Sequence, residues 1–455
     1  MSDTLVKIIQ SWKCQDGVFK TDDILRWIKQ CNENIKALIE PQNLEEDKFW
    51  FYDKESGSIT NKDKSFFYIT GIKEQDIVQP IIVQNEIGFL GIISKEIDGV
   101  LHFLMQAKIE PGNINKAQIS PTVQATKSNF TQRHRGKKTD YLDYFLNSSK
   151  YEVVVDQIQT EQSVKFYKKR NRNIIIRINE DIEVLNSFRW MTLGQIKALL
   201  GYDNLINMDT RTVISCIPFS SLNSNRAESI KNIFADKSLY NSLYNEDENN
   251  SFVEIYNYLN DYKMLADSSP SFIALDKMSG WTMNNYGILR DKPYSFKVSY
   301  FNISIEGREV FKWSQPLLES NYEEVNALFL RERNGILQFL VQAKSEIGAF
   351  DKIEIAPSVQ CLVEQMQSDG FAGALLYEKW KEGKGKILAS VLLSEEGGRF
   401  YHTQNHNIII LIDDKEIAVL PKNFFWIDYK TLICLLLNNN CVNEQLRTLL
   451  SLIRI

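Results

Sequence analysis

Apolar residues fall along the chain in short blocks rather than in one sustained period. Phe66-Phe67-Tyr68-Ile69, Ile81-Ile82-Val83 and Val100 to Lys108 are apolar or β-rich runs bounded by turn residues, which predicts strands. The last run turns polar at Lys108, and Glu110-Pro-Gly-Asn113 then breaks the chain. Ile174-Ile175-Ile176-Arg177-Ile178 and Ile408 to Ile412 are further strand candidates. A spacing near the helical period follows Trp190 over Met191 to Leu200, and follows Trp426 over Tyr429 to Leu437. Near the start, Leu5, Ile8, Ile9 and Trp12 make one apolar stripe, and Ile24, Leu25, Ile28 and Cys31 make another. The second stripe opens at Thr21-Asp22-Asp23, an N-cap with acidic first-turn residues.

These blocks occur twice. Phe103-Leu-Met-Gln-Ala-Lys-Ile-Glu-Pro-Gly112 matches Phe339-Leu-Val-Gln-Ala-Lys-Ser-Glu-Ile-Gly348 at an offset of 236 residues. Over 103–124 against 339–360, twelve of 22 positions are identical, where chance gives about one or two. The same offset pairs Gly71 with Gly307, Gln79-Pro80 with Gln315-Pro316, Trp190 with Trp426, and Arg211-Thr212 with Arg447-Thr448. A two-residue slip pairs Phe166-Tyr167 with Phe400-Tyr401, and Asn171-x-Asn173-Ile174 with Asn405-x-Asn407-Ile408. A period this long excludes a solenoid, whose units run ~20–50 residues. The expected fold class is α+β: a helical segment over 1–44, a first module over 45–218, a linker with helices over 219–270, and a second module over 271–455.

Composition narrows the function. The 53 Lys and Arg against 58 Asp and Glu leave a net charge of −5, without the basic footprint of a nucleic-acid binder. No run approaches the ~18–20 apolar residues needed to cross a bilayer. The opening Met-Ser-Asp-Thr-Leu lacks the features of a signal peptide, so a cytoplasmic location is expected. Six scattered cysteines form no Cys-x-x-Cys pair, which argues against a zinc module or a disulfide scaffold. His402 and His406 have i,i+4 spacing, but their surroundings read as strand, and no metal site is expected.

The polar residues that persist between the copies are the candidates for chemistry. Gln106, Lys108 and Glu110 alternate, so on an extended segment they share a face; Thr122, Gln124, Thr126 and Ser128 form a second row. Gln106, Lys108, Glu110 and Gln124 recur as Gln342, Lys344, Glu346 and Gln360 while nearby apolar residues drift. Arg133-His134-Arg135-Gly136-Lys137-Lys138 and Lys168-Lys169-Arg170-Asn171-Arg172 are two basic runs, read either as solvated loops or as contacts to a phosphorylated ligand. Gly-x-Gly-x-x-Gly after a strand, the P-loop motif and Gly-x-Ser-x-Gly are all absent, which removes the usual sequence support for dinucleotide redox, P-loop and α/β-hydrolase chemistry.

At these positions the chain resembles the NDP-hexose 2,3-dehydratases of deoxysugar biosynthesis. The likeness lies in Phe103 to Asn113, Ser120-Pro-Thr-Val-Gln-Ala-Thr126, Ser128-Asn129-Phe-Thr131, His134-Arg-Gly136 and Tyr141-Leu-Asp-Tyr-Phe145. It continues through Gln159-Thr-Glu161-Gln162, Phe166 to Asn173 and Ser394-Glu395-Glu396-Gly-Gly-Arg399-Phe-Tyr401. The resemblance implies two Nudix-like modules, a homodimer, a nucleotide-linked 4-keto-6-deoxyhexose (dTDP-linked) as substrate, and no cofactor. A 3-ketoreductase is the implied downstream partner. No Nudix box is present, so metal-dependent pyrophosphate hydrolysis is not expected. The chain departs from the family pattern at Thr160 and Ser163, where Ser and Gly are usual, and after Gln360 it lacks a counterpart of Ser128 to Thr131 and of His134. The chemistry is therefore expected in the first module.

Such a dehydration needs a base at C3, a donor at the C4 oxygen and an acid at the C2 hydroxyl. His134 is the first candidate for the base. Glu110 and Glu161 are alternatives for acid or base, and Tyr141 or Lys108 for the enolate donor. Arg133, Arg170 and Arg172 are candidates for the diphosphate, and Gln106, Thr122, Gln124, Thr126, Ser128, Asn129, Glu395, Glu396 and Arg399 for other substrate contacts. The alternative is a non-catalytic nucleotide-sugar-binding or assembly protein on the same scaffold.

Overall fold

Ile174, Ile175, Ile176 and Ile178 are all buried because their strand, Arg170–Ile178, lies inside a sheet covered on both faces. In the computed structural model, which describes residues 2–127, 138–244, 251–267, 269–290, 292, 296–308 and 310–455, this sheet has seven strands. Its main row runs Glu152–Thr160, Arg170–Ile178, Gly88–Ile97, Val100–Ile109, Phe188–Thr192; Ala117–Ser120 and Val123–Ala125 pair onto it. A second seven-stranded sheet repeats the order with Lys386–Ser394, Gln404–Leu411, Glu324–Arg333, Ile336–Ser345 and Phe424–Asp428, joined by Ile353–Pro357 and Val359–Leu362. Each contains one parallel pairing, Arg170–Ile178 with Gly88–Ile97 and Gln404–Leu411 with Glu324–Arg333. With two smaller sheets and the helices between them, the fold is α+β.

The smaller sheets tie the halves together. Ala37–Pro41 pairs with Phe296–Ile305, and Ser271–Ile273 pairs with Tyr68–Glu74. The opening segment is thus helical only over Ser2–Lys13 and Thr21–Asn34; residues 37–41 are extended because they find an open strand edge in the second half. Two other boundaries also move. The strand expected from Phe66 begins at Tyr68, with Phe66 in the left-handed region at φ +64°. The helix expected from Met191 begins at Leu193, because Thr192 still pairs with His102 and caps the helix through the Gln195 N–H.

One apolar core fills the space between the two large sheets, and both opening helices pack into it. The helices Met208–Ser215 and Glu444–Ser451 contact each other there. Arg211 and Arg447 are buried at that contact, 2% and 1% exposed, and are bonded reciprocally. Arg211 donates to Thr448 Oγ1 (3.2 Å), the Ile206 carbonyl (2.9 Å) and the Ser394 carbonyl (2.8 Å). Arg447 donates to Thr212 Oγ1 (2.7 Å), the Val442 carbonyl (2.5 Å) and the Thr160 carbonyl (2.5 Å). Each guanidinium therefore holds the end of an edge strand from the opposite half.

Thr160 and Ser163, the departures from the family pattern, both donate to the buried Glu354 carboxylate, Ser163 at 2.9 Å. Burial raises the Glu354 pKa to about 7. The counterpart of Glu354 at the 236-residue offset is Gln118, which donates to Ser394 Oγ at 2.7 Å. An unfolded glutamate titrates near ~4.3, so between that value and about 7 the folded chain holds the extra proton. Stability from this group is present at low pH and is lost as pH rises through the window. Glu354→Gln should reduce the fall in unfolding free energy between pH 5 and pH 8 by about 3 kcal/mol. Urea titrations at the two pH values measure it, and an unchanged difference counts against the assignment.

Candidate active site

The strand Val100–Ile109 ends in a turn that the sequence marks with Pro111 and Gly112, and Asn113 holds it closed by donating to the carbonyls of Lys108 (3.3 Å) and Lys116 (2.7 Å). Gly112 meets the loop 396–402 of the second half directly. Its N–H donates to the Gly397 carbonyl (2.8 Å), and its carbonyl accepts from His402 N–H (2.9 Å). A Cβ on Gly112 would lie 1.5 Å from the Phe400 carbonyl oxygen, so only glycine permits this approach. The mirror contact is present: Gly348 N–H donates to the Ser163 carbonyl (2.9 Å), and its carbonyl accepts from Lys168 N–H (2.8 Å). The repeated glutamines explain themselves similarly, Gln79 donating to the Val164 carbonyl (2.6 Å) and Gln315 to the Gly398 carbonyl (2.7 Å). Each half thus inserts one loop into the cleft of the other.

The cleft of the first half opens into a cavity of about 920 Å³. Lys108, Glu110, Gln124 and Thr126 line it from the first half together with Lys169, Asn171 and Asp209; Glu396 and Arg399 enter from the second. Gln124 Nε2 donates to Glu110 Oε1 at 3.0 Å, and Lys108 Nζ is 3.6 Å from the same oxygen. Asn207 orients Gln124 from behind (3.4 Å). Arg399 donates to Gln84 Oε1 (3.1 Å) and its guanidinium lies 4.2 Å over the Phe67 ring. Deeper in, Lys169 Nζ donates to Asn171 Oδ1 (2.9 Å), and Asn171 Nδ2 donates to Glu161 Oε1 (2.5 Å). Burial lowers the Lys169 pKa to about 8, and burial with the nearby Glu396 raises Glu161 to about 7. Burial also raises Glu396, against the pull of Arg399. Phe49, Trp50, Phe66, Phe67, Phe89 and Trp313 also line the cavity, as do Arg308 and Lys312.

The structure therefore brings together Lys108, Glu110, Gln124, Thr126, Glu396 and Arg399 from the residues expected by sequence. It places others elsewhere. Tyr141 is not among the cavity-lining residues: its hydroxyl donates to the Glu183 carbonyl (2.7 Å) and accepts from Leu185 N–H. Thr122 is buried and bonds the Leu104 carbonyl and Ile93 N–H, pinning strands rather than facing ligand. Arg172 forms a two-pronged pair with Asp156 (2.6 Å each), and Arg170 lies 3.6 Å over the Phe350 ring, so neither reaches the cavity as a diphosphate contact. Gln106 lies within its strand off the wall, and Glu161 and Glu395 sit behind it, each accepting from an asparagine, Asn171 and Asn405. Ser128, Asn129, Arg133 and His134 lie outside the described residues. Sequence reasoning missed Lys169 and Asn171 as a buried pair, Asp209, Gln84 and the aromatic lining. Asn171 carried a signal, its match with Asn405; Asp209 carried none, because its counterpart is Gln445. Among the described residues, no group of three or more His, Cys, Asp or Glu side chains is arranged to hold a metal ion.

The second half has the same polar core. Gln360 donates to Glu346 (2.8 Å), Asn443 to Gln360 (3.0 Å), and Lys344 to the Gln360 carbonyl (3.0 Å). A separate small space of about 110 Å³ touches Glu346 but not Lys344, Gln360 or Asn443.

Residues 21–217 and 252–453 both match the family model described as NDP-hexose 2,3-dehydratase. The chain belongs to the NDP-hexose 2,3-dehydratase family. Three relatives of this family carry the name dTDP-4-dehydro-6-deoxy-alpha-D-glucopyranose 2,3-dehydratase. That of Saccharopolyspora spinosa is 38% identical over 88% of this chain and 85% of its own. The Amycolatopsis orientalis protein is 32% identical over 98% of this chain and 93% of its own, and the Streptomyces violaceoruber protein 34% identical over 89% and 90%.

The composite cleft makes a stability prediction. Gly112→Ala forces the second half's loop away and should cost more than ~2 kcal/mol. Gly99→Ala, at φ +79° but with open space around it, should cost only about 1 kcal/mol. Equal losses in chemical unfolding would show that the loop insertion contributes nothing.

Proposed function

We propose that this chain removes water across C2–C3 of dTDP-4-keto-6-deoxyglucose, giving a 3,4-diketo-2,6-dideoxy sugar. The observation that carries the reading is a large cavity lined by Glu110, beside Gln124 and Lys108, and by six aromatic rings, in a chain whose relatives bear that activity's name. A nucleotide sugar has matching parts. The aromatic faces suit the base, Arg308, Lys312 and Arg399 suit the diphosphate, and the buried carboxyl–lysine cluster suits the keto sugar.

We assign Glu110 as the base for the C3 proton. The C3–H bond is acidic because its electron pair delocalises onto the C4 oxygen, and Lys108 or Lys169 donates there. Lys169, with its pKa near 8, keeps its proton at neutral pH yet gives it up at small cost. His134, outside the described residues, is the sequence's own proposal for the same role. The sum of steps is redox-neutral, so it needs no redox cofactor.

The alternative of a non-catalytic binding protein draws on the second module's missing counterparts of Ser128 to Thr131 and His134, and on Thr160 and Ser163. The latter two both donate to Glu354, so their identity follows from packing rather than from loss of a site. We further propose that the halves are Nudix-like modules from an internal duplication, that two chains form a homodimer, and that a 3-ketoreductase takes the reactive diketo product. The cytoplasm is the proposed location; no helix among the described residues is long and apolar enough to cross a membrane.

Purified protein given dTDP-4-keto-6-deoxyglucose should convert it to a species lighter by one water, followed by mass spectrometry. Intact substrate after prolonged incubation with folded protein would falsify the reading. Glu110→Gln should lower turnover ~10²–10⁴-fold, whereas Glu346→Gln, beside the small second space, should keep turnover and change stability alone. Equal collapse in two folded variants would place the reaction in a site shared by both clefts.

A further inference from the structure

Asp209 occupies the first turn of the helix Met208–Ser215, two positions after its cap Asn207. It lines the 920 Å³ cavity, yet the residue is only 2% exposed and its Oδ2 has no hydrogen-bond partner among the described residues. A buried carboxyl oxygen left in this way is costly unless the group carries a proton or meets a ligand. Glu110, on the same cavity, differs: its Oε1 accepts from Gln124 and lies 3.6 Å from Lys108 Nζ.

The molecule contains its own control. Lys108, Glu110, Gln124 and Asn207 have identical counterparts in Lys344, Glu346, Gln360 and Asn443. Asp209 does not; its counterpart is Gln445, and the counterpart of Glu396 is Gln162. Two carboxyls that line the large cavity, Asp209 and Glu396, therefore stand as amides at the matching positions of the other half. An amide can hydrogen-bond at such a position but cannot deliver a proton as a carboxylic acid can.

We propose that Asp209 is the acid of this dehydration, giving its proton to the departing C2 hydroxyl while Glu110 takes the C3 proton; this rests on the dehydratase reading above. The proton count closes. Glu110 removes the C3 hydrogen, and the electron pair forms the C3–C4 double bond with the charge on the C4 oxygen. As the C4 carbonyl re-forms, the C2–O bond breaks, a C2–C3 double bond forms, and the C2 oxygen leaves as water with the proton of Asp209. The C3 enol then ketonises, gaining a proton at C2 and releasing one from the C3 oxygen. Three carboxyls face Asp209, from Glu396, Glu161 and Glu110, and with burial they hold its proton on; Lys108 and the amino end of its own helix act the other way. Arg211, on the same helix, is committed to Thr448, Ile206 and Ser394.

The test separates acid from base by running the reaction in D₂O. Asp209→Asn should lose dehydration ~10²–10⁴-fold while recovered substrate still gains deuterium at C3; Glu110→Gln should lose both. Asp209→Glu, which keeps an acid in place, should recover at least about tenfold over Asp209→Asn. If Asn at 209 unfolds the chain by thermal denaturation, Asp209→Ser makes the same comparison. Turnover of a folded Asp209→Asn within about tenfold of wild type overturns the proposal, as does parallel loss of dehydration and exchange. Wild-type protein that neither exchanges nor dehydrates overturns the dehydratase reading itself, and the acid assignment with it.

Discussion

Two buried guanidinium groups at the helix contact between the halves, Arg211 and Arg447, direct their donors to carbonyls at Ser394 and Thr160 in the opposite half. Arginine suits this position because its planar fork presents several donors in fixed directions and does not neutralise when buried. Removing either would leave buried carbonyls unpaired, which costs more than the net value of the bonds themselves. The residues just beyond those carbonyls are Glu395-Glu396 and Glu161-Gln162. The same bonds that join the halves therefore also set where the two inserted loops enter the opposite clefts. Core and cleft are one construction.

Within the first cleft, charge is concentrated where water is scarce. Glu110, Glu161, Asp209, Lys108 and Lys169 are all less than 9% exposed. Burial disfavours a charged form, and the shifts follow: Glu161, Asp209 and Glu396 rise and Lys169 falls. Carboxyls shifted up and a lysine shifted down suit proton transfer near neutral pH. The arrangement is also one that a merely stable fold avoids, because unpaired buried polar atoms cost free energy. Strain of this kind concentrates where function demands it.

The two clefts show how little is needed to separate them. Their shared lysine, glutamate, glutamine and asparagine are bonded alike. Around Glu346 the loop from the first half brings Lys165, which lies 3.6 Å over the Phe296 ring. In the first cleft the matching position is Arg399, which lines the large cavity. The divergence lies in the inserted loops and in one helix turn, not in the sheets that carry them.

The sheets and the shared polar core were legible in the residues alone, because period-two alternation and β-branched runs depend on local geometry and the offset of 236 exposed what both halves retain. Lys108, Glu110 and Gln124 stood out for that reason. Other residues could be placed only in three dimensions. Tyr141 and Arg172 looked chemical by type, yet each is satisfied by a neighbour that sequence does not identify, Glu183 and Asp156. The extended conformation of residues 37–41 was hidden because it depends on an open edge in a strand some 260 residues away. Asp209 was hidden for the opposite reason to Glu110, since a comparison of repeats finds what is kept and passes over what only one copy has. By itself the sequence determined the strands, the repeat, the family likeness and the residues common to both copies, all properties of short segments and their recurrence. Tertiary structure alone decided that the candidate cleft draws on both halves and that Asp209 lines it with a buried, unpartnered oxygen, because both depend on contacts between segments far apart in the chain.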